Sequence, residues 1–343
     1  MAAKKINGIA SKVMAFAMAG VLAGTSIAVF SQTPVNADAA TQTYTSDYAS
    51  KHEAIEAGYE LNLKVAEEGM VLLKNENNAL PIPTGVGLHA AKVTVFGYAG
   101  AKPSGGSSGN GGDTSGGSVG NAGTVYKTLE AVGYKVNPFV KDFYNYEIGL
   151  GKRSDYQIAA DFNAKANDLS ASYTSYNDAA IIVLSVGDTT DEDIKYERQF
   201  NQEQYDLIKH VTDSGVFDKV VVLINKSYPV ELDDIKNNEE VDAILLVGEA
   251  GTNGLASAGP ILCGMVSPSG RLSDSYPVDQ TTDPSYINYS TVNLGLFVDG
   301  EGNSVITNTR GSNQAGFTDY EEGIYVGYRY WEPRAADEAK AGN

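Results

Sequence analysis

The sequence predicts an α/β fold: a mostly parallel sheet of five or six strands sandwiched by helices, with a partly irregular C-terminal tail. Three observations predict it. Short apolar runs, A-A-I-I-V-L at 179–184, K-V-V-V-L-I at 219–224 and V-D-A-I-L-L-V at 241–247, have no polar alternation. Strands covered on both faces require this, because neither side of the pleat meets water. Segments of helical periodicity separate these runs, and strand–helix alternation at this spacing builds a parallel sheet with crossover helices on both faces. No internal repeat competes with this reading.

Length and charge narrow the function. The chain has 343 residues, enough for one large domain or two ordinary ones, and a formal net charge of −18. Such a surface repels nucleic-acid phosphates and offers no basic membrane patch, but it suits neutral ligands. The 21 tyrosines and 37 glycines lean the same way, toward sugars and export. Cys263 is the one cysteine, set in an apolar helical run, so it reads as a small core residue and no disulfide framework exists. His52, His89 and His210 are scattered without ligand spacing, and no metal or cofactor site is expected.

Residues 1–39 read as a targeting segment. Lys4, Lys5 and Lys12 precede an uncharged run from Val13 to Phe30, and Ala37-Asp38-Ala39 fits a small-x-small cleavage site. A cleaved signal peptide makes the protein secreted. An uncleaved anchor leaves it at the cell surface, with membrane contact only through 13–30. The paucity of cysteine fits a bacterial exported protein.

An α/β domain is expected over 45–280. Ser46 or Asp47 can cap a helix to residue 68, with Ala54, Ala57, Leu61 and Val65 on one face. G-M-V-L-L-K-N is a short strand closed by an Asn-rich turn, and Lys92–Phe96 is a β-branched strand. A Gly/Ser loop at 97–123 follows. It has no G-x-G-x-x-G directly after the strand and no G-K-[ST] ending. It is too long to aim backbone N–H groups at a phosphate, which leaves a linker or the rim of a binding cleft. A helix over Thr124–Ala131, a strand at 134–137 and a helical excursion within 139–177 lead to the run at 179–184.

The loop after that run, G-D-T-T-D-E-D-I-K-Y-E-R, carries Asp188, Asp191, Glu192, Asp193 and Glu197. Loops at the carboxyl ends of parallel strands are where open α/β sheets hold ligand chemistry. Acid residues there serve proton transfer or simply solvation. Asn201 and Gln204 then form a capping-box pair for a helix whose Tyr205, Ile208 and Val211 share a face. Beyond Pro268 the texture turns to turns and edge-strand chemistry. An extension over 281–343 ends in an aromatic, β-branched segment, Tyr320–Pro333, that reads as a strand; the last eight residues carry no element signature.

Four stretches together resemble family 3 glycoside hydrolases, the β-glucosidase and β-xylosidase group. Glu67-Glu-Gly-Met-Val-Leu-Leu-Lys-Asn-Glu-Asn-Asn-Ala-Leu-Pro81 is close to that family's E-G-x-V-L-L-K-N-x-x-x-x-L-P. The Gly-rich loop after Gly97, the turn Ser267-Pro-Ser-Gly-Arg-Leu272 and the segment Tyr320-Glu-Glu-Gly-Ile-Tyr-Val-Gly-Tyr-Arg-Tyr330 match its other signatures. The likeness spans residues 50–332 and corresponds to the family's α/β sandwich, usually called its C-terminal domain.

What the resemblance implies is specific. Members split the active site between a (β/α)8 barrel, which carries an Asp nucleophile, and the sandwich, which supplies a Glu acid/base from a loop after a strand. Gly187–Arg198 occupies that loop position. Glu192 is then the leading acid/base candidate, with Asp191 and Asp188 behind it, and Asp113 and Arg198 are the candidate substrate contacts. The motif departs from the family's G-E-G-x-D-R, so the register is open by several residues. The implied substrate is a β-linked glucoside or xyloside. The barrel is the implied partner, following the sandwich as in the family's domain-swapped branch, and the chain reads as the front part of a longer enzyme. Retaining hydrolysis needs two carboxyl groups about 5–5.5 Å apart, so this stretch alone is expected to be inactive. A non-catalytic exported carbohydrate-binding module is the alternative reading. A nucleotide-binding α/β domain is disfavoured by the missing phosphate turn.

Overall fold

The computed structural model describes residues 46–84, 90–103, 124–185, 199–226, 228–251, 253–287 and 320–341. Helix α1 (Lys51–Gly69) leads into β1 (Val71–Asn75) and β2 (Lys92–Phe96), and the short turn of helix α2 (Tyr98–Ala101) follows. Then come α3 (Val125–Ala131), β3 (Lys135–Val136), α4 (Pro138–Gly149), α5 (Asp155–Ser170) and β4 (Ala179–Leu184). The second half holds α6 (Gln202–Asp213), β5 (Val220–Ile224), α7 (Asp233–Lys236), β6 (Ala243–Leu246), α8 (Ala258–Leu262), α9 (Pro284–Ile287) and α10 (Tyr328–Ala341).

The sheet has six strands in the order β1-β6-β5-β4-β2-β3. All neighbours run parallel except β1, which pairs antiparallel with β6 at one edge, Val71 opposite Leu246 and Asn75 opposite Ala243. The mostly parallel α/β expectation is therefore met. The period-2 geometry of the strands divides the core. In β4, Ala179, Ile181 and Val183 join one layer with α3 and α8, while Ala180, Ile182 and Leu184 join the other with α4, α5 and α6. Both faces are covered, which is why the central strands are apolar throughout. The second layer is rich in rings: Phe96 meets Tyr173 edge-on at 5.4 Å, and Phe162 meets His210 at 5.2 Å.

Local signals set the helix starts. Thr124 accepts from the Lys127 N–H to cap α3, and Asn137 accepts from the Phe139 N–H ahead of Pro138, which opens α4. Asn201 and Gln204 make the expected capping box of α6. Cys263 sits just past the end of α8, half-buried against the first layer rather than inside a helix.

The C-terminal segment corrects the sequence reading. Residues 320–327 form turns, and the aromatic stretch expected as a strand enters α10 instead. The tail supplies the reason: Ala335, Ala336, Glu338, Ala339 and Lys340 are strong helix formers. Arg334–Glu338 and Asp337–Lys340 pairs, at 2.8 and 3.1 Å, line the same helix. Pro333 is tolerated inside it at the loss of one backbone bond. Trp331 Nε1 donates to Asp283 at 3.1 Å and Tyr330 donates to the Thr282 carbonyl at 3.3 Å, tying α10 to the segment before it. No edge strand forms over 268–287, which is turns, a 3₁₀ turn and α9. Among the described residues no helix is long and apolar enough to cross a membrane.

Candidate functional site at the sheet switch point

The strand order creates one place where the winding reverses. After β2 the chain moves outward to β3, then crosses back past β2 to β4 and proceeds to β5 and β6 on the other side. The carboxyl ends of β2 and β4 therefore send their loops apart, leaving the crevice in which doubly wound sheets bind ligands. The chain leaves that crevice at Gly97 and at Ser185, where the two stretches the sequence singled out, 97–123 and 187–198, begin; most of the first and all of the second lie outside the described residues. They start in close contact. Gly97 follows β2 with φ of 93°, and a Cβ there would press into the Val183 carbonyl oxygen of β4.

A buried carboxylate lies beneath this crevice. Ser154 caps α5 by accepting from the Gln157 N–H, which fixes Asp155 as the first helical residue. One Asp155 oxygen accepts from the Tyr98 backbone N–H at 2.7 Å, just past β2. The other accepts from Gln204 Nε2 at 3.2 Å. The same Gln204 nitrogen donates to the Ser185 carbonyl, just past β4, at 2.8 Å. Four chain segments thus meet at one side-chain pair: the ends of β2 and β4 and the starts of α5 and α6. Burial pushes the Asp155 carboxyl up to about 6, with the Tyr98 and Gln204 donors pulling the other way.

Two tyrosines complete the buried cluster. Burial, and then the nearby Asp155 charge, push the Tyr126 and Tyr144 hydroxyls up from the usual phenol range. A hydrogen bond with the Gly97 backbone offsets part of the effect for Tyr144. The Tyr126 hydroxyl is fully buried and finds no hydrogen-bond partner among the described residues. On the far side of the 185–201 connection, Gln199 donates to Glu231, which also accepts from the Gln280 N–H at 2.8 Å. Asn225 Nδ2 donates to the Gly248 carbonyl at 2.7 Å, joining the carboxyl ends of β5 and β6.

The residues expected to do chemistry, Glu192, Asp191, Arg198 and Asp113, lie outside the described residues, as does Asp188. What is described is their frame: Ser185 on one side of the acidic loop and Gln199–Asn201 on the other. Sequence reasoning missed Asp155. Ser-Asp at 154–155 signals a helix start, but burial of that carboxylate is a tertiary fact with no local mark. Gln204 was legible as a capping residue and not as a donor to Ser185. Among the described residues no group of three His, Cys, Asp or Glu side chains is placed to hold a metal ion.

The motifs at the β1 edge of the sheet also converge. The Gly270 N–H donates to the Met70 carbonyl at 3.1 Å, so the S-P-S-G-R-L turn docks on the E-G-M-V-L-L-K-N strand. Within that strand's turn, Asn75 holds both the N–H and the carbonyl of Leu80, at 2.9 and 3.0 Å.

Comparison with known proteins agrees with this architecture. The chain is 28% identical over 299 residues to β-glucosidase A of Butyrivibrio fibrisolvens, covering 80% of this chain and 32% of that protein. It is 26% identical over 285 residues to thermostable β-glucosidase B of Acetivibrio thermocellus, covering 82% of this chain and 32% of that protein. The chain thus spans about a third of the length of these curated relatives. Among solved structures, β-glucosidase 3B of Thermotoga neapolitana in complex with α-D-glucose shares the fold with a TM-score of 0.57 at 24% identity, over 83% of this chain and 37% of that one. The model of the glycosyl hydrolase family 3 C-terminal domain matches residues 70–328. With three-quarters of its length inside that match, the chain belongs to glycosyl hydrolase family 3 through its C-terminal domain.

Proposed function

We propose that this domain supplies the general acid/base of a retaining β-glucosidase-like hydrolysis, from the loop between Ser185 and Gln199, to a nucleophile carried by a barrel domain. The observation that carries this reading is the position of that loop: it leaves β4 at the switch point of a family 3 domain and holds a cluster of carboxylates. Glu192 is assigned the acid/base role, with Asp191 next, and Arg198 and Asp113 are assigned sugar contacts. The acid protonates the departing glycosidic oxygen while the nucleophile attacks the anomeric carbon. As carboxylate it then takes a proton from the water that releases the sugar. The domain supplies one member of the carboxyl pair, so the 343-residue chain alone is inactive. Residues 1–39 export it, to the medium or the cell surface.

The test has two arms. The purified chain is expected to leave 4-nitrophenyl β-glucoside at its uncatalysed rate; turnover at an enzyme's rate overturns the split-site reading. Grafted in place of the matching third of the Butyrivibrio fibrisolvens enzyme, the chain is expected to support hydrolysis. Glu192→Gln in the graft is expected to lower kcat by about 10²–10⁴-fold, most for poor leaving groups. An active graft in which Glu192→Gln and Asp191→Asn are both silent removes the assignment.

A further inference from the structure

We propose that Gln204 is a positioning residue that clasps both ends of the acidic loop to the buried Asp155 carboxylate. The inference rests on the proposed acid/base role of that loop and deepens it, because it names what fixes the place from which the loop departs.

One side chain serves two ends. Toward the carboxyl-terminal end of the loop, the Gln204 amide oxygen accepts from the Asn201 N–H at 3.2 Å, and Asn201 Oδ1 accepts from the Gln204 N–H at 2.9 Å. Toward the amino-terminal end, its amide nitrogen donates to the Ser185 carbonyl at 2.8 Å. The second hydrogen of that nitrogen goes to Asp155, which holds the Tyr98 N–H with its other oxygen. Gln204 is itself buried, at 3% exposure, and its bond to Asp155 is made away from water, where leaving it unmade costs most; the bonds to Ser185 and Asn201 are partly buried.

A helix cap alone does not require this arrangement. Glutamate satisfies the third helical position of a capping box as well as glutamine does, because only an acceptor oxygen is needed there. The additional bonds to Ser185 and Asp155 require a donor, which glutamine has and an ionised glutamate lacks. Glutamate would also face the Asp155 charge, with the Tyr126 and Tyr144 hydroxyls beyond it as the other ionisable groups of the cluster. The residue at 204 is thus chosen by the loop's two ends, not by the helix.

The experiment compares backbone hydrogen exchange of the full 343-residue chain with that of Gln204→Glu and Gln204→Met. It follows peptides covering 184–201 and, as the helix control, 205–213, at pH 7.5 and pH 5. Gln204→Glu loses the two donor bonds to Ser185 and Asp155 and is expected to speed exchange at 184–201 by about tenfold or more at pH 7.5, while 205–213 stays protected. At pH 5, proton uptake by the introduced carboxyl and Asp155 removes their repulsion and restores a donor, which narrows the gap with wild type. Gln204→Met, neutral and close in size, stays fast at both pH values and decides the question if the glutamate variant does not fold. Wild-type exchange at 184–201 in Gln204→Met, or in a folded Gln204→Glu at pH 7.5, overturns the clasp. So does a Gln204→Glu effect that pH 5 leaves unchanged. No substrate is present, so failure here leaves the hydrolase assignment standing, and a silent graft leaves the clasp standing.

Discussion

Gly270 lies against Met70 so closely that a Cβ on Gly270 would sit inside the contact distance of the Met70 oxygen and 2.6 Å from the Gly69 oxygen. The backbone of the S-P-S-G-R-L turn is thereby laid directly on the start of β1. Gly270→Ala is expected to push the two segments apart and cost about 1–3 kcal/mol of stability. A urea midpoint equal to that of the wild type would show that the turn has room to give.

Asp155 gives stability a pH dependence of unusual sign for a carboxylate. Its folded pKa, raised from 3.8 to about 6, lies above the unfolded value, so the folded state binds the proton more tightly. Its contribution is therefore greatest below about pH 4 and is lost as pH rises through 6, amounting to on the order of 3 kcal/mol between the two limits. Asp155→Asn removes the titration and leaves a constant offset from its misplaced amide. The unfolding free energy of wild type minus that of Asp155→Asn is expected to fall between pH 4 and pH 7; a difference that is flat or rises contradicts the raised pKa.

Tyr126 tests the other side of the same cluster. Its hydroxyl is fully buried with no partner among the described residues, so it carries a desolvation cost that no described residue returns. Tyr126→Phe keeps the ring in the first core layer and deletes the oxygen. It is expected to be neutral or to stabilise the chain by about 1 kcal/mol in thermal or denaturant unfolding. A loss above 1 kcal/mol would mean the hydroxyl is satisfied.

The sheet was legible because its central strands announce themselves. Ile181, Ile182, Val222 and Leu223 are fully buried, and a run covered on both faces has no polar residue to blur it. The capping box at Asn201 and Gln204 was legible because its partners are three residues apart. Two features were not. The direction of β1 depends on its pairing with β6, far away in sequence, and V-L-L-K-N reads the same in either direction. At Tyr320–Ala341 the aromatic and β-branched residues at the front, Ile324, Val326, Tyr328, Tyr330 and Trp331, outweighed the Ala, Glu and Lys behind them, and the helix over Tyr328–Ala341 follows the latter. Asp155 escaped notice for a third reason. An aspartate after a serine is the ordinary opening of an exposed helix, and only the crossover from β3 to β4 carries it to the carboxyl ends of β2 and β4.

The antiparallel edge also orders events in time. Among the described strands β1 is the first made, yet its single neighbour in the sheet is β6, the last. During synthesis the segment 71–75 must wait, apolar and unpaired, until residues 243–246 have left the ribosome, while β2, β3, β4 and β5 can already assemble in the order they appear. A nascent chain halted before residue 243 would carry a nearly complete sheet with an idle first strand. In that interval the exposed strand is open to mispairing with a neighbour.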